Sequence, residues 1–218
     1  MKKQRIIFYT LMLLPLALVI TALQFLPAQI PAHYGWDHQV TRWGSKYETL
    51  IFPIMTLLVA GLMIGISKAA SKYEDFGTNN ERVCISAGIA VLMLLNILTV
   101  YYLYVDFNKI EKLSDISLDI MQLVLGWLGI SMIVLGNIMP KVRKNSVIGL
   151  RTVWSVKNEG VWKKSQRFGG ISFIIAGSIV IAVCFLTEGI SSVLWTIGVL
   201  GLVLAVDIFY TYNLSKQG

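Results

Sequence analysis

The most chemically distinctive group in this chain is a carboxylate inside an apolar segment. Since Glu48 and Asp119 stand at the ends of their segments, Asp207 is the only acidic residue expected within the apolar part of one. A carboxylate within a membrane span is by default a candidate functional group. Two roles stay open, because Asp207 could pair with a basic residue of a neighbouring loop or couple to an ion.

Catalytic and metal-binding patterns are missing from the sequence. The two histidines, His33 and His38, flank Asp37, but their spacing does not match the His-Glu-x-x-His pattern of a membrane metalloprotease. There is no Gly-x-Ser-x-Gly motif, and neither histidine lies in an apolar segment where it could serve as a base. We therefore predict a protein that is not an enzyme and that uses no metal and no cofactor.

A basic stretch between two apolar segments carries the most specific motif. Residues 140–169 hold eight of the 19 Lys and Arg residues. Within this stretch Arg151 precedes Thr152, and a guanidinium beside a hydroxyl can hold a carboxylate or phosphate through two hydrogen bonds. We predict that this turn locks the loop against Asp207 or a partner. The candidate motif residues are Gly149, Arg151, Thr152, Trp154, Glu159, Trp162 and Arg167.

The second half of this stretch has the pattern of an amphipathic helix. Asn158 is a candidate N-cap, and Glu159 suits the positive end of the helix dipole. A helical projection extended back to Trp154 separates a largely apolar side from a basic side, as in a segment at the membrane interface. The first side contains Trp154, Val161, Trp162, Ser165 and Phe168, and the second contains Lys157, Lys163, Lys164 and Arg167.

A second long loop, from Pro27 to Tyr47, mixes rigid, aromatic and titratable residues. Proline fixes its own φ and favours an extended conformation in the residue before it. Pro27 and Pro31 therefore predict that the first helix ends and an extended segment follows. The aromatic side chains suit either an interfacial belt or a ligand contact. The candidate ligand-binding residues are Pro27, Pro31, His33, Trp36, Trp43 and Lys46.

Membrane helices must position these loops. The 218-residue chain is 56% hydrophobic and 14% charged, whereas about a quarter of the residues in soluble domains are charged. Six continuous apolar runs are long enough to cross a bilayer as helices, and they lack the alternating pattern of barrel strands. We predict an all-α polytopic membrane protein with spans at Ile6–Leu26, Glu48–Ser67, Val83–Val105, Leu118–Met139, Gly170–Thr187 and Ile190–Leu214.

The distribution of positive charge predicts the orientation of these spans. The first apolar run is too long for the core of a signal peptide, so we expect it to be retained. In that case 15 of the 19 Lys and Arg residues fall on one side of the membrane. Positive residues are enriched on the cytoplasmic side, so both termini are predicted to be cytoplasmic. Contact with the lipid bilayer then explains the net charge of +7 without a nucleic-acid partner.

We divide the chain into three regions, residues 1–67, 68–117 and 118–218, which contain two, one and three predicted spans. Asn96 and Asn137 are expected to hydrogen-bond between helices, and pairs of glycines are expected to allow close helix packing. Cys84 and Cys184 lie at different depths, so they are expected to be unpaired packing residues. The glycine pairs are Gly61 and Gly65, Gly126 and Gly129, and Gly198 and Gly201.

Two blocks of residues resemble the SdpI family of bacterial membrane immunity proteins. The run from Gly149 to Thr152, with the Trp and Arg residues that follow it, is similar to the family's Gly-Ile-Arg-Thr-Pro-Trp-Thr signature. The block from Leu26 to Pro53 resembles the region of unknown function that commonly precedes the SdpI domain. The departures are Val153 in place of proline, and His38 and Thr41 where glycine and aspartate are expected.

The resemblance implies an immunity protein of a bacterial cell membrane that gives resistance to a secreted peptide toxin. It also implies a receptor role, in which toxin bound outside causes a cytoplasmic transcriptional repressor to be held at the membrane. The loop that begins at Pro27 would then meet the toxin, and the loop around Arg151 would report to the repressor. A second hypothesis is a small transporter or exporter of a toxic peptide or amphiphile, with Asp207 as its coupling charge.

Overall fold

Six long helices dominate the computed structural model, which describes residues 2–35, 37–72, 77–116, 119–144 and 149–216. Within these ranges six helices are long and apolar enough to cross a membrane, which confirms the predicted fold class. They are α1 (Lys2–Ala22), α2 (Ile51–Lys72), α3 (Gly77–Asn108), α4 (Ile120–Ile138), α5 (Glu159–Leu186) and α6 (Gly189–Lys216).

Several helices extend beyond the apolar runs that predicted them, and the extensions of α5 and α3 add residues that bear on the site. Helix α5 begins at Glu159 rather than Gly170, because its first turns are the amphipathic segment and not a separate element. Helix α3 ends at Asn108 rather than Val105. That extension brings Asp106 into the helix, where its side chain is buried. Asp106 is thus a second buried acidic residue of a membrane helix besides Asp207, and it lies two residues from the end of α3.

The loop after α1 folds into a β-hairpin. Strand β1 (Gln29–Tyr34) pairs antiparallel with β2 (Val40–Ser45), so that Pro31 lies opposite Trp43. The prolines predicted the extended conformation but not the pairing. His38 lies in the connecting turn with φ of 61°. This left-handed conformation is easiest for glycine, which explains why glycine would be expected there.

The first compact unit comprises Met1–Gly65 and Gly88–Ile120. Its core contains Val19, Ala22, Leu26 and Leu103, which join α1 to α3. The hairpin is fastened to the segment after α3, because the Tyr34 hydroxyl donates to the Ile110 carbonyl oxygen at 2.6 Å. Burial raises the pKa of Tyr34 above its usual range, so this hydroxyl stays protonated and remains a donor.

The second compact unit comprises Ile66–Ala87 and Met121–Gly218. Its core of Leu125, Met132, Ala176, Val180 and Cys184 lies between α4 and α5, with side chains of α6 packed against it. Cys84 and Cys184 are both buried and unpaired, as predicted.

Glycines allow the backbones of α4 and α5 to approach closely. A Cβ built on Gly129 would lie 2.7 Å from the Gly177 carbonyl oxygen, and one on Gly170 would lie 2.6 Å from the Gly136 carbonyl oxygen. This contact confirms the packing role predicted for Gly129. The other predicted pairs differ, since a Cβ on Gly61, Gly65, Gly198 or Gly201 meets no described atom within 4 Å.

Candidate functional site

The motif loop, residues 149–158, begins with a glycine that no other residue could easily replace. Gly149 has φ of +104°, which disfavours any residue with a Cβ. A Cβ at this position would also lie 2.5 Å from Oε1 of Gln166. That Gln166 side chain is fully buried and accepts a hydrogen bond from Leu150 N at 2.9 Å while donating to Leu150 O at 3.0 Å. The loop is therefore clamped onto α5 through both backbone groups of Leu150.

Thr152 and Ser155 close a tight turn within the motif loop. Thr152 N donates to Ser155 Oγ at 2.8 Å, and Ser155 N donates to Thr152 Oγ1 at 3.0 Å. The Thr152 hydroxyl also donates to Thr211 Oγ1 at 3.0 Å, which ties the turn to α6. Trp154 packs edge-on against Tyr212 of the same helix, with ring centroids 5.2 Å apart. The motif loop is thus joined to both α5 and α6.

The start of α5 follows its predicted capping. The Asn158 side chain accepts a hydrogen bond from Val161 N at 2.8 Å, which confirms it as the N-cap. The extension of the helix back to Trp154 is wrong, because the Thr152–Ser155 hydrogen bonds favour a turn there instead. Trp162 is almost fully buried and donates from its ring nitrogen to Val142 O at 2.9 Å.

The predicted separation of faces along α5 is confirmed. Val161, Trp162 and Ser165 are buried, whereas Lys163, Lys164 and Arg167 are exposed. Glu159 is also exposed, and its carboxylate lies 3.7 Å from Lys163 Nζ. At the end of the amphipathic face, the ring of Phe168 stacks on Tyr210 with centroids 3.8 Å apart. The basic side of the segment therefore faces outward, where it can meet solvent or lipid headgroups.

Asp207 and Arg151 line the same cavity, which has a volume of about 540 Å³. The Asp207 side chain is buried, and its Oδ1 accepts a hydrogen bond from Ser172 Oγ of α5 at 2.7 Å. Arg151 is exposed. The structure thus brings the two predicted charges to one site, and the direct pairing of Asp207 with a basic side chain stays a prediction.

The candidate ligand residues of the hairpin have different environments. Pro31 is buried in β1, Pro27 is half-buried, and Lys46 donates from Nζ to Leu23 O at 2.7 Å, which satisfies a carbonyl at the end of α1. His33 and Trp43 are exposed, and the His33 ring nitrogen Nδ1 lies 2.6 Å from Thr41 Oγ1. Trp36 lies outside the described residues. His33 and Trp43 are therefore the described candidates with the most surface available to a ligand.

An ion pair stiffens the base of the hairpin. Arg42 donates to both carboxylate oxygens of Glu48, at 3.0 and 2.7 Å. Hydrogen bonding to the Glu48 carboxylate raises the pKa of Arg42 above its ordinary value. Glu48 also completes a capping box with Ser45 for the short 3₁₀ helix Lys46–Leu50. A side chain at Gly44 would collide with Glu48, so the glycine keeps this arrangement possible.

The two predicted intramembrane asparagines have different partners. Asn96 Nδ2 donates to Leu11 O of α1 at 2.9 Å as well as to Leu92 O of its own helix. The interhelical role predicted for Asn96 is confirmed. Asn137 Nδ2 instead donates to Ile133 O, four residues earlier in α4.

Among the described buried polar residues, Gln166 and Asp106 hold structural contacts that sequence reasoning did not find. Gln166 lies in a basic amphipathic segment, where a glutamine looks like an ordinary surface residue. Asp106 lies just beyond an apolar run, where an acidic residue is typical of a surface position. Its Oδ2 accepts a hydrogen bond from Thr49 Oγ1 at 3.1 Å, and both side chains are buried. The signal that could have found this pair is a Thr near the start of one span and an Asp near the end of the next.

Thr49→Val is expected to destabilise the protein by about 1.5–3 kcal/mol, the usual contribution of a hydrogen bond to a charged group. The substitution keeps the shape of the side chain but leaves the buried Asp106 carboxylate with one donor fewer. Thr56→Val is a matched control, because the buried Thr56 hydroxyl donates to Phe52 O of its own helix. Unfolding of the full chain in detergent micelles measures both, and equal losses would contradict the role of Thr49.

Comparisons with known proteins agree with the resemblance. Residues 141–211 match the model of the SdpI/YfhL protein family, and residues 10–57 match a domain of unknown function, DUF1648. The immunity protein SdpI of Bacillus subtilis (strain 168) is 28% identical over 220 residues, covering 99% of each chain. No solved structure matches this chain.

The family match covers the part of the chain that forms the candidate site. It contains the motif loop, the amphipathic start of α5 and Asp207. The second match contains the hairpin and Pro27, which precedes it. This chain is therefore a multi-pass membrane protein in which residues 141–211 match the SdpI/YfhL family and residues 10–57 match DUF1648.

Proposed function

We propose that this protein is a membrane immunity protein that gives the cell producing it resistance to a secreted peptide toxin. The observation that carries the proposal is the similarity to immunity protein SdpI, which extends over 99% of both chains rather than over a single domain. The similarity therefore includes all six helices, the hairpin and the motif loop together.

The arrangement of the two loops supports different roles for the hairpin and the motif loop. Successive spans cross the membrane in alternate directions, so the hairpin after the first span and the motif loop after the fourth face opposite sides. The excess of Lys and Arg around the motif loop favours the cytoplasm for that side. The hairpin, with exposed His33 and Trp43, would then meet the toxin outside the cell.

The proposed function also includes a receptor role, in which the motif loop responds to toxin binding. The motif loop contacts both α5 and α6 through Gln166 and Thr211, so a shift between these helices would change its shape. A toxin that binds one helix arrangement better than another would favour that arrangement. A cytoplasmic transcriptional repressor that binds the resulting loop conformation would be held at the membrane.

Expression of the full chain in toxin-sensitive bacteria tests the immunity function. Cells that insert the protein are expected to survive a secreted peptide of the type that kills the parent strain. Membrane insertion is followed separately by fractionation, so that a failure to insert is distinguished from a failure to protect. An inserted protein that protects against no peptide in a panel of such toxins would contradict the proposal.

Arg151→Lys is expected to lower the tolerated toxin concentration by about tenfold or more while leaving insertion unchanged. Lysine keeps the charge but loses the planar pair of donors, and a hydrogen bond to a charged group contributes about 1.5–3 kcal/mol. The matched control is Arg143→Lys, the same change at an exposed position of the same basic stretch but outside the motif. Equal protection by the two variants would show that charge alone matters at Arg151.

A further inference from the structure

The cavity beside Asp207 has walls from four helices and the motif loop, all within the second unit. Its volume of about 540 Å³ lies in the range of small-molecule sites, about 300–1,000 Å³. Most of its lining is apolar, with side chains from α3, α4, α5 and α6: Val83, Ala87, Leu135, Phe173, Leu200 and Leu204. Such a surface suits a hydrocarbon chain.

The lining changes from apolar to polar along the helix axis, as a lipid does along the membrane normal. Leu200, Val203, Leu204 and Asp207 lie at helical spacing, so they share one face of α6. Leu200 and Leu204 are near the middle of this 28-residue helix. Asp207 lies nearer the end, about 14 Å from Lys216 at 1.5 Å per residue. Apolar contacts are therefore deep, and the polar contacts lie towards the membrane surface.

Two opposite charges line the polar end of the cavity. Asp207 is buried and Arg151 is exposed, so the cavity extends from an exposed cation to a buried carboxylate. An ionised carboxylate can accept about four hydrogen bonds, and Ser172 supplies one of them. A ligand with an ammonium group would satisfy Asp207 further, and a phosphate would suit the guanidinium of Arg151.

We propose that this cavity binds a phospholipid whose headgroup carries both a phosphate and a primary ammonium group, that is, phosphatidylethanolamine. One acyl chain lies along the Leu200–Leu204 face, the phosphate contacts Arg151, and the ethanolamine arm folds back from the phosphate so that its ammonium group contacts Asp207. Phosphatidylglycerol has the same phosphate and chains but hydroxyl groups in place of the cation, so it can offer Asp207 only the weaker hydrogen bonds of neutral donors. The site goes beyond toxin immunity and does not depend on it.

Native mass spectrometry of the full-length protein tests this site directly. The protein is purified in detergent, stripped of lipid and incubated with equal amounts of phosphatidylethanolamine and phosphatidylglycerol that have identical acyl chains. We expect a preference of about tenfold for phosphatidylethanolamine, equivalent to about 1.4 kcal/mol. Equal retention of the two lipids by the unmodified protein would overturn the proposal.

Two variants distinguish the contribution of the Asp207 charge to lipid binding from that of the apolar wall. Asp207→Asn is expected to abolish the preference between the two lipids, because it removes the carboxylate while keeping an oxygen for Ser172. Ala87→Phe fills the cavity and is expected to reduce binding of both lipids by about tenfold. Leu202→Phe is the matched control, since Leu202 is exposed on α6 and is not part of the lining.

If Asp207→Asn does not fold, Ala87→Phe alone still tests whether the lipid binds in this cavity, because it leaves Asp207 and Ser172 unchanged. Binding by Ala87→Phe that equals binding by Leu202→Phe would place the lipid elsewhere and overturn the proposal. Displacement of the lipid by an apolar peptide at equal concentration would also overturn it, since the cavity would then be a peptide site.

Discussion

Gly177→Ala is expected to lower the free energy of unfolding by about 1–3 kcal/mol, the usual cost of adding a methyl group to a well-packed core. A Cβ at Gly177 would lie 2.5 Å from the Gly129 carbonyl oxygen and 3.0 Å from Ile133 Cγ1. The first of these atoms belongs to the backbone of α4 and cannot rotate away. Relief therefore requires α4 and α5 to separate, which weakens the contacts of the core between them.

Gly126→Ala provides the matched control on the same pair of helices. A Cβ at Gly126 would lie 3.7 Å from Cys184 Sγ, which is ordinary van der Waals contact. Alanine is favoured over glycine within a helix by about 0.5–1 kcal/mol, so this variant is expected to be neutral or slightly stabilised. Unfolding in detergent micelles, monitored by tryptophan fluorescence, compares the two. Similar stabilities for both variants would mean that α4 and α5 do not approach as closely as described.

Gln166→Met is expected to cost about 1–3 kcal/mol and to free the motif loop from α5. Methionine keeps the length and approximate volume of the side chain but offers Leu150 neither a strong acceptor nor a donor. Leu150 O keeps the hydrogen bond from Ser155 Oγ at 2.9 Å. Leu150 N loses the partner that Gln166 provides, and this unsatisfied donor accounts for most of the expected loss.

Limited proteolysis measures this effect at the loop itself. We expect cleavage after Arg151 or Lys157 to become faster in Gln166→Met, because a released loop can enter a protease site. Lys164→Met is the control, since Lys164 is exposed two residues away on the same helix. The same rate of cleavage in both variants would contradict the clamp between Gln166 and Leu150.

Sequence patterns were sufficient to predict the features that depend on residues close together in the chain. The apolar runs predicted all six helices, because a helix satisfies its own backbone groups inside a bilayer. Asn158 was recognised as an N-cap from its position before Glu159 and an amphipathic segment. The family signature around Arg151 was recognised from residue types alone, and the motif loop does contain the Thr152 turn.

Contacts between distant residues could not be predicted in this way. The extended segments around Pro27 and Pro31 were expected, but the register that places Pro31 opposite Trp43 requires the second strand. Gln166 could not be distinguished from a surface glutamine until Leu150 was brought beside it. Of the three glycine pairs, only the helix contacts reveal that Gly129 faces a neighbouring backbone while Gly61 and Gly198 face open space.

Apolar length and motif residues are properties of consecutive positions, and they were enough to identify a six-helix membrane protein with a region that matches the SdpI/YfhL family. How the functional groups are combined depends on helix packing instead. The packing buries Asp106 against Thr49, clamps the motif loop through Gln166, and brings Arg151 and Asp207 to one cavity. The physical reason is that a buried polar group needs a partner, and partners far apart in sequence meet only when the helices pack.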